Sequence, residues 1–419
     1  MSLRKYSMSD SNIGARKQKN IRNHIFVINS IIHDVLQKKS NKPIDIMVLD
    51  YKQMFDSEWL LECMNDMYEA GVHDEVFALL AEANKRSLVA VQTPNGLSRR
   101  DVFENIVMQG DVLAPLVSSL QVDTFGKECW EEDKHLYWFK GLVPIAPLGM
   151  VDDLLTISEC GFKTEQMNQY IRFKTGTKRL QFGTSKCCKM HIGKSRSEQL
   201  CKDLFVDGWK EKVETNPETG ATSQSDVFTG REKMELKQEQ LYLGDLVSSD
   251  GTHTKNIQLR RNKGVGIINQ IMQILDTTYF GKYFFEIAMV LRESLFLSSS
   301  LLNSEAWVNY SDKDIRILEQ SDEILLSKVL GCDANTSNAL KYLDLGVVPI
   351  RFELKKRKLA FLQYILLEDK ESMMFKVFQA TKENPSKKDF VVTCKKYMEE
   401  LDIKLTFEEI AKMSKFRLK

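Results

Sequence analysis

The sequence feature that most constrains the fold is a pair of adjacent aspartates inside an apolar segment. Residues 148–157 read Leu-Gly-Met-Val-Asp-Asp-Leu-Leu-Thr-Ile, so Asp152 and Asp153 have apolar residues on both sides. This pattern predicts two short strands with the aspartates at the tip of a hairpin. Adjacent carboxylates repel each other and lose hydration when partly buried, so a bound divalent cation would favour the pair. An exposed acidic turn without a ligand is the alternative.

A third carboxylate ends another apolar segment. Ile44-Asp-Ile-Met-Val-Leu-Asp50 reads as a short strand that is buried on both faces, with Asp50 at its end. If this strand neighbours the predicted hairpin in one sheet, Asp50 and Asp152 meet. Carboxylates on adjacent strands can hold two metal ions about 3.5–4 Å apart, an arrangement that suits phosphoryl transfer.

The chain changes character near residue 250. Before it, helical patterns alternate with short strands, whereas long amphipathic helical patterns dominate after it. Between the two regions, residues 207–232 are polar and rich in Thr, Glu, Ser and Gly, which predicts a mobile loop or insertion. The later helical patterns cover residues 257–275, 284–303, 312–330 and 351–368.

Composition excludes several classes of protein. The 8 cysteines include no CxxC pair, which is typical of an intracellular protein with reduced thiols. No uncharged apolar run of about 18 residues exists, so a membrane span is not expected. The net charge of +1 does not by itself indicate a nucleic-acid partner. Nuclear and cytoplasmic residence stay equally open.

Five short motifs follow one another along the first 250 residues. Their order resembles the palm of a reverse transcriptase, most closely that of non-LTR (LINE-type) retrotransposons. The resemblance covers about 44–250, the segment 9–17 resembles the end of the fingers, and the region beyond 250 resembles the thumb. The motifs are Asp50-Tyr-Lys-Gln-Met-Phe55-Asp56, Gln109-Gly110-Asp-Val-Leu-Ala-Pro-Leu, Val151-Asp152-Asp153, Gly183-Thr-Ser-Lys186-Cys and Leu241-Tyr242-Leu243-Gly244.

The resemblance implies an α+β right-hand polymerase. Residues 1–43 would be a partial fingers segment, and residues 44–250 a palm with interleaved fingers elements, built as an antiparallel sheet with packed helices. Residues 251–419 would form a helical thumb and downstream region. The upstream part of a parent polyprotein is expected to be missing, which leaves the activity of this chain alone open.

The resemblance also assigns the catalytic residues. Asp50, Asp152 and Asp153 would bind two Mg²⁺ ions, with Mn²⁺ as a substitute. Lys186 matches the basic residue that protonates the pyrophosphate leaving group, and a surface lysine is its alternative.

Five further residues would bind the incoming deoxynucleoside triphosphate. The backbone amides after Asp50, beginning at Tyr51, would cradle the triphosphate, and Arg16 would reach it with its planar fork of donors. Gln109 and Gly110 would lie beside the templating base pair. Phe55 would act as a steric gate, because a bulky ring beneath the sugar leaves no room for a 2′-hydroxyl.

The remaining assignments concern the nucleic acid. Tyr242, Leu243 and Gly244 resemble the hairpin that grips the primer. The basic clusters 260–263 and 355–358 would contact the backbone of an RNA template and a DNA primer, although solvated helix faces explain any single cluster as well.

The implied function is an RNA-directed DNA polymerase that extends a DNA primer. The alternative is an inactive remnant of a retroelement that binds RNA or protein partners. A third possibility is an RNA polymerase or another DNA polymerase with a similar palm. Phe55 and the Gln-Gly motif disfavour the RNA polymerase. The sequence departs from the family pattern at Gln53-Met54, Met108 and Met150-Val151, while the acidic residues are retained.

Overall fold

The computed structural model describes most of residues 8–413. Its helices and strands alternate up to residue 248, and helices alone follow. The residues left out within that range are 15, 17–18, 38–41, 53, 85–86, 91, 95, 100, 104–113, 133, 179, 195–202, 216–221, 276 and 334. The strands are β1 (Ile44–Asp50), β2 (Ser87–Val89), β3 (Gln92–Thr93), β4 (Gly96–Leu97), β5 (Asp101–Phe103), β6 (Tyr137–Phe139), β7 (Val143–Ile145), β8 (Leu148–Met150), β9 (Asp153–Glu159), β10 (Cys188–Ile192), β11 (Phe205–Thr215), β12 (Thr222–Lys233), β13 (Glu235–Leu236), β14 (Glu239–Tyr242) and β15 (Asp245–Ser248). The α-helices are α1 (Ile21–Gln37), α2 (Met54–Ser57), α3 (Leu60–Glu69), α4 (Asp74–Asn84), α5 (Ala114–Glu131), α6 (Phe162–Thr177), α7 (Thr254–Ile274), α8 (Thr277–Phe280), α9 (Phe284–Leu291), α10 (Ser298–Ser300), α11 (Asp312–Leu330), α12 (Asn338–Asp344), α13 (Ile350–Leu367), α14 (Met373–Glu383), α15 (Phe390–Glu400) and α16 (Phe407–Lys412).

The chain forms two compact units. The first contains residues 1–20 and 42–237, and the second contains residues 21–41 and 238–419. Helix α1, which was expected to belong to a fingers segment, therefore joins the helical C-terminal part. The functional division into fingers, palm and thumb stays a prediction.

A five-stranded sheet organises the first unit. Its strand order is β13-β10-β1-β9-β8, and the central strand β1 is antiparallel to both β9 and β10. Both faces of β1 are covered, since every residue from Ile44 to Leu49 is buried. Met47 and Leu49 pack in one core cluster with Phe125 of α5 and Met167 of α6. The predicted buried strand is therefore confirmed.

A short N-terminal segment extends the sheet beyond β8. Asn12 forms a parallel bridge with Gly149, the Ile13 amide donates to the Gly149 carbonyl, and the Gly149 amide donates to the Ser11 carbonyl. This segment thereby covers the backbone of an edge strand that would otherwise be unpaired.

The polar region 207–232 is not a loop over its described residues. Strands β11 and β12 pair antiparallel from Phe205↔Lys233 to Thr215↔Thr222, with an irregularity after Gly208. The prediction of a loop is wrong here, because backbone hydrogen bonds join the two strands into a ribbon and a polar composition does not prevent such pairing. The alternative, an insertion, stays a prediction.

The second unit is mainly helical. Its core gathers apolar residues of α7, α9, α11 and α13 around the buried Trp307. Helix α9 continues through a π-helical turn, Arg292–Leu297, into α10. Arg292 there forms a buried two-pronged ion pair with Asp322, at 2.7 Å for each contact. The four helical patterns predicted beyond residue 250 are confirmed, and none of the described helices is both long and apolar enough to span a bilayer.

Candidate active site

The paired aspartates lie at the hairpin that the sequence predicted. Met150 of β8 pairs with Asp153 of β9, and Val151 and Asp152 form the two-residue turn between them. Val151 has a φ of 57°, a conformation that β-branched residues rarely adopt. The surrounding structure must therefore stabilise this turn.

Gly14 provides part of that support. A Cβ atom at Gly14 would lie 2.9 Å from the Val151 amide nitrogen and 2.2 Å from the Ser119 Oγ. Only glycine allows the N-terminal segment to approach the turn this closely. The Gly14 amide also donates to the Asn12 side chain at 2.9 Å, and Asn12 in turn donates to the Ser119 carbonyl.

Asp50 faces the hairpin from the neighbouring strand. The register of β1 and β9 places Asp50 directly opposite Asp153. The Asp50 side chain retains 19% of its exposure, so its carboxylate is at the rim of the sheet and not in the core. The structure thus brings together carboxylates that are about 100 positions apart in the sequence.

Lys186 contacts the same carboxylate. Its Nζ lies 3.0 Å from Asp50 Oδ1 and 3.3 Å from Oδ2, and this ion pair raises the pKa of Lys186. The loop carrying Lys186 is fixed by the Gly183 amide, which donates to the Asp50 carbonyl at 2.8 Å. Because 68% of its side chain is exposed, Lys186 can move away from Asp50 without breaking the fold.

The electrostatics of the acidic site are unfavourable without a cation. Burial and the negative charges of Asp152 and Asp50 raise the pKa of Asp153 to about 6, against the opposing effect of Lys186. Neighbouring like charges and desolvation have this effect on any carboxyl group. A divalent cation would relieve the repulsion.

The donor set fits magnesium, which prefers carboxylate oxygens. Among the described residues, however, the carboxylates of Asp50, Asp152 and Asp153 do not all lie within 4.8 Å of one another. These side chains would therefore need to rotate toward a shared ion, with Lys186 leaving Asp50.

The side chain of Tyr51 belongs to the core of the first unit. Its ring is buried and stacks on Phe182 at a centroid distance of 4.8 Å. The next amide, of Lys52, already donates to the Gln181 carbonyl at 2.8 Å. The backbone bridge between Tyr51 and Phe182 uses the Lys52 amide and does not use the Tyr51 amide.

Three of the predicted nucleotide-binding residues are not fully described. Phe55 lies in α2, but its side chain is outside the described part of the chain, as are Gln109 and Gly110 altogether. Arg16 is described, and its guanidinium donates to the carbonyls of Ser9 and Asn12 at 2.7 and 2.9 Å. It therefore stabilises the N-terminal segment, and its predicted contact with a triphosphate stays a prediction.

The predicted primer-grip residues form a tight hairpin in the second unit. Tyr242 pairs with Asp245 across the turn, and Leu243 and Gly244 both have positive φ, 46° and 80°, as in a type I′ turn. The buried Asp245 accepts hydrogen bonds from Asn256, Arg260 and Trp307, at 3.0, 3.2 and 2.9 Å. This network fixes the base of the hairpin.

A second polar cluster lies at the other end of β1. Asp45, Cys160 and His191 present potential ligand atoms within 4.8 Å of one another. The Asp45 carboxylate already contacts His191, Thr164 and the Lys189 ammonium, at 2.9, 3.0 and 3.3 Å. This ammonium supplies the positive charge that a metal ion would bring. No sequence pattern indicated this cluster, because its members are far apart along the chain.

Comparisons with known proteins yield only distant likenesses. No protein-family model matches the chain, and no curated protein matches it. A telomerase structure from Candida albicans, in complex with a fragment of telomeric RNA, is 10% identical, with a TM-score of 0.39 over 93% of this chain and 55% of the telomerase. The apo telomerase of Candida tropicalis is 10% identical, with a TM-score of 0.38 over 90% of this chain and 59% of that chain. The chain thus spans somewhat more than half the length of these telomerases.

Proposed function

We propose that the chain is the RNA-directed DNA polymerase domain of a non-LTR retrotransposon. The single observation that carries this proposal is the pairing of Asp50 with Asp153 across β1 and β9, with Asp152 in the adjoining turn. Three carboxylates at one rim of an antiparallel sheet suit two-metal nucleotidyl transfer to the 3′ end of a DNA primer.

The residues divide the chemistry among them. Asp50, Asp152 and Asp153 would hold two Mg²⁺ ions, which when bound would stabilise the attacking and leaving oxygens. Lys186 leaves Asp50 and donates a proton to the departing pyrophosphate, since its ammonium contacts Asp50 and its side chain is largely exposed. The Tyr51 amide donates to a phosphate oxygen of the incoming nucleotide.

Sugar selection is assigned to Phe55. Its backbone lies in α2, five residues after the end of β1 at Asp50, so the residue follows the acidic rim closely in the chain. A ring at this position excludes a 2′-hydroxyl by its volume. Replacement of Phe55 by alanine should therefore allow ribonucleotides to be incorporated, and unchanged exclusion of ribonucleotides would remove this assignment.

One observation favours the second candidate, an inactive remnant that binds RNA or protein. Lys186 neutralises Asp50, and the three carboxylates do not gather within 4.8 Å in the described residues. In an inactive remnant this ion pair would be permanent, whereas in the enzyme it opens when metal and nucleotide bind.

Primer extension on an RNA template with Mg²⁺ separates the two candidates. The enzyme is supported if the wild type extends the primer and the Asp152→Asn/Asp153→Asn variant binds the same template without extending it. An Asp250→Asn variant is a matched control, because Asp250 is an exposed carboxylate of the second unit. Template binding without extension by the wild type would support the remnant.

A further inference from the structure

A turn at residues 183–187, which we refer to as the lysine turn, holds Lys186 beside Asp50. The Gly183 carbonyl closes the turn, because it accepts hydrogen bonds from the Lys186 amide at 2.9 Å and from the Cys187 amide at 3.2 Å. The Gly183 amide donates to the Asp50 carbonyl at 2.8 Å. The first residue of the lysine turn is therefore fixed to the main chain at the end of β1.

The last two residues of the lysine turn differ sharply in exposure. The Lys186 side chain retains 68% of its exposure, whereas Cys187 is 2% exposed and belongs to the core cluster that contains Phe182. The Cys187 thiol donates to the Asp50 carbonyl, at a sulfur–oxygen distance of 3.7 Å. This carbonyl thus accepts one hydrogen bond from each end of the turn, from the Gly183 amide and from the Cys187 thiol.

The two contacts relate the main chain of Asp50 to the position of Lys186. The Asp50 carboxylate lies 3.0 Å from the Lys186 ammonium, and the carbonyl of the same residue holds the turn that carries the lysine. Because a lysine has a flexible four-carbon stem, the backbone that carries it limits where its ammonium can lie. Cys187 fixes that backbone at the residue next to the lysine, although a thiol is only a weak donor.

We propose that Cys187 is a positioning residue, which fixes the lysine turn to Asp50 so that Lys186 can reach a departing pyrophosphate. This inference rests on the proposed function, which makes Lys186 the proton donor. Cys187 is buried behind the turn and acts only through the lysine. Such an effect on rate can be large, since a misplacement of about 1 Å in an active site can cost about 10²-fold.

Two substitutions of Cys187 separate the hydrogen bond from the packing of the side chain. Cys187→Ala removes the donor, and Cys187→Ser keeps a donor in a side chain of similar size. In Cys187→Ala we expect kcat for primer extension to fall about tenfold and the nucleotide KM to stay within about twofold, because misplacing Lys186 slows the chemical step without weakening nucleotide binding. Cys187→Ser should retain most of the wild-type kcat.

Cys188→Ala is the matched control. Cys188 is fully buried as well, and it lies opposite Val48 in the pairing of β10 with β1. Its replacement removes the same thiol volume from the core, so its melting temperature should fall about as far as that of Cys187→Ala. Its kcat should match that of the wild type when both are assayed well below their melting temperatures.

A double-mutant cycle with Lys186→Ala distinguishes positioning from a general loss of structure. If Cys187 acts through Lys186, Cys187→Ala should lower kcat about tenfold in the wild type and less than about twofold in Lys186→Ala, because coupled residues are not additive. A merely structural role would give equal losses in both backgrounds.

Titration with Mn²⁺ at neutral pH provides a second cycle that needs no turnover. Cys187→Ala should let the ammonium leave Asp50 more easily and tighten Mn²⁺ binding about two- to fivefold, the range expected for weakening an exposed ion pair. In the Lys186→Ala background the same substitution should leave Mn²⁺ affinity unchanged.

Three outcomes would overturn the proposal. They are equal losses of kcat in both backgrounds, a kcat of Cys188→Ala as low as that of Cys187→Ala, and a kcat of Cys187→Ser no higher than that of Cys187→Ala. The proposed function fails separately, if the wild type shows the expected Mn²⁺ cycle and does not extend a primer. A wild type that binds no Mn²⁺ would overturn both.

Discussion

Asp50 and Asp153 occupy opposing positions on the antiparallel strands β1 and β9, at the rim of the central sheet. Directly opposed residues in an antiparallel pair have Cβ atoms about 4.5–5.5 Å apart, and like charges in such a pair destabilise the sheet. The fold therefore retains an electrostatic conflict that a nearby lysine relieves only in part. The proposed binding of a cation would account for acidic residues at both positions.

The pH dependence of metal binding tests this interpretation. Burial and neighbouring charges raise the pKa of Asp153 from 3.8 to about 6, so its carboxyl takes up a proton as the pH falls through 6. Metal ligands must be deprotonated, and we expect Mn²⁺ affinity to fall about tenfold for each pH unit below 6. The same shift means that ionising Asp153 costs folding free energy as the pH rises from about 4 to 6.

Isothermal titration with Mn²⁺ between pH 5 and 8 measures this effect. Asp153→Asn should bind Mn²⁺ more weakly, and its plot of affinity against pH should lack the inflection near pH 6. The variant Asp250→Asn, at an exposed carboxylate, should keep that inflection. An inflection that persists in Asp153→Asn would assign the titration to another group.

Lys186 should have opposite effects on binding and turnover. In Lys186→Ala the Asp50 carboxylate loses its ammonium partner, so metal should bind more tightly. Turnover should fall by about 10²–10⁴, the range lost when a general acid is removed. Lys186→Arg keeps the positive charge beside Asp50, so it should bind metal as weakly as the wild type does. A decrease in turnover of less than twofold in Lys186→Ala would make Lys186 a surface lysine that happens to lie beside Asp50.

The sequence predicted the parts of the site that depend on local pattern. The apolar flanks of Asp152 and Asp153 predicted the hairpin, and the apolar run before Asp50 predicted the central strand. Lys186 was identified by resemblance, and the structure places it against Asp50. Such features follow from the spacing of apolar residues in a strand and from the residue types that favour turns, and both can be recognised within about ten residues.

Other features of the fold could not be predicted. Gly14 approaches the Val151 turn from more than 130 positions away, and nothing in the sequence near residue 14 indicates it. The ribbon of β11 and β12 was missed because its polar composition is also that of a loop. The pairing of residues 355–358 with carboxylates and carbonyls likewise depends on tertiary packing.

Substitution of Gly14 tests the support of the acidic turn. Gly14→Ala places a Cβ atom 2.2 Å from the Ser119 Oγ and 2.9 Å from the Val151 backbone, so the turn must shift. Overpacking of this kind costs about 1–3 kcal/mol, and primer extension should fall with it. Gly176→Ala is the matched control, because its Cβ meets nothing within 4 Å and the residue lies in α6. Urea unfolding should show the first variant destabilised and the second stabilised by up to about 1 kcal/mol. Equal stability of the two variants would contradict the close contact.

Glu58 is a fully buried carboxyl group in the first unit, and its burial predicts a pH-dependent stability. Neither carboxyl oxygen has a hydrogen-bond partner among the described residues. Burial, with a smaller contribution from the charge of Asp66, raises the pKa of Glu58 from 4.5 to about 8, although Ser118 and Lys178 act in the opposite direction. Since the folded state holds this proton more tightly than the unfolded state, stability should decline as the pH rises from about 4.5 to 8.

Glu58→Gln removes this titration while keeping the shape of the side chain. We expect the variant to gain about 2–4 kcal/mol over the wild type between pH 5 and pH 8.5, from a shift of several pKa units at 1.36 kcal/mol each. Urea unfolding of both proteins at the two pH values measures the difference, and Glu69→Gln, at an exposed position of α3, should follow the wild type. Parallel pH profiles for wild type and Glu58→Gln would mean that Glu58 ionises freely in the folded state, with water or a rearranged Lys178 compensating its charge.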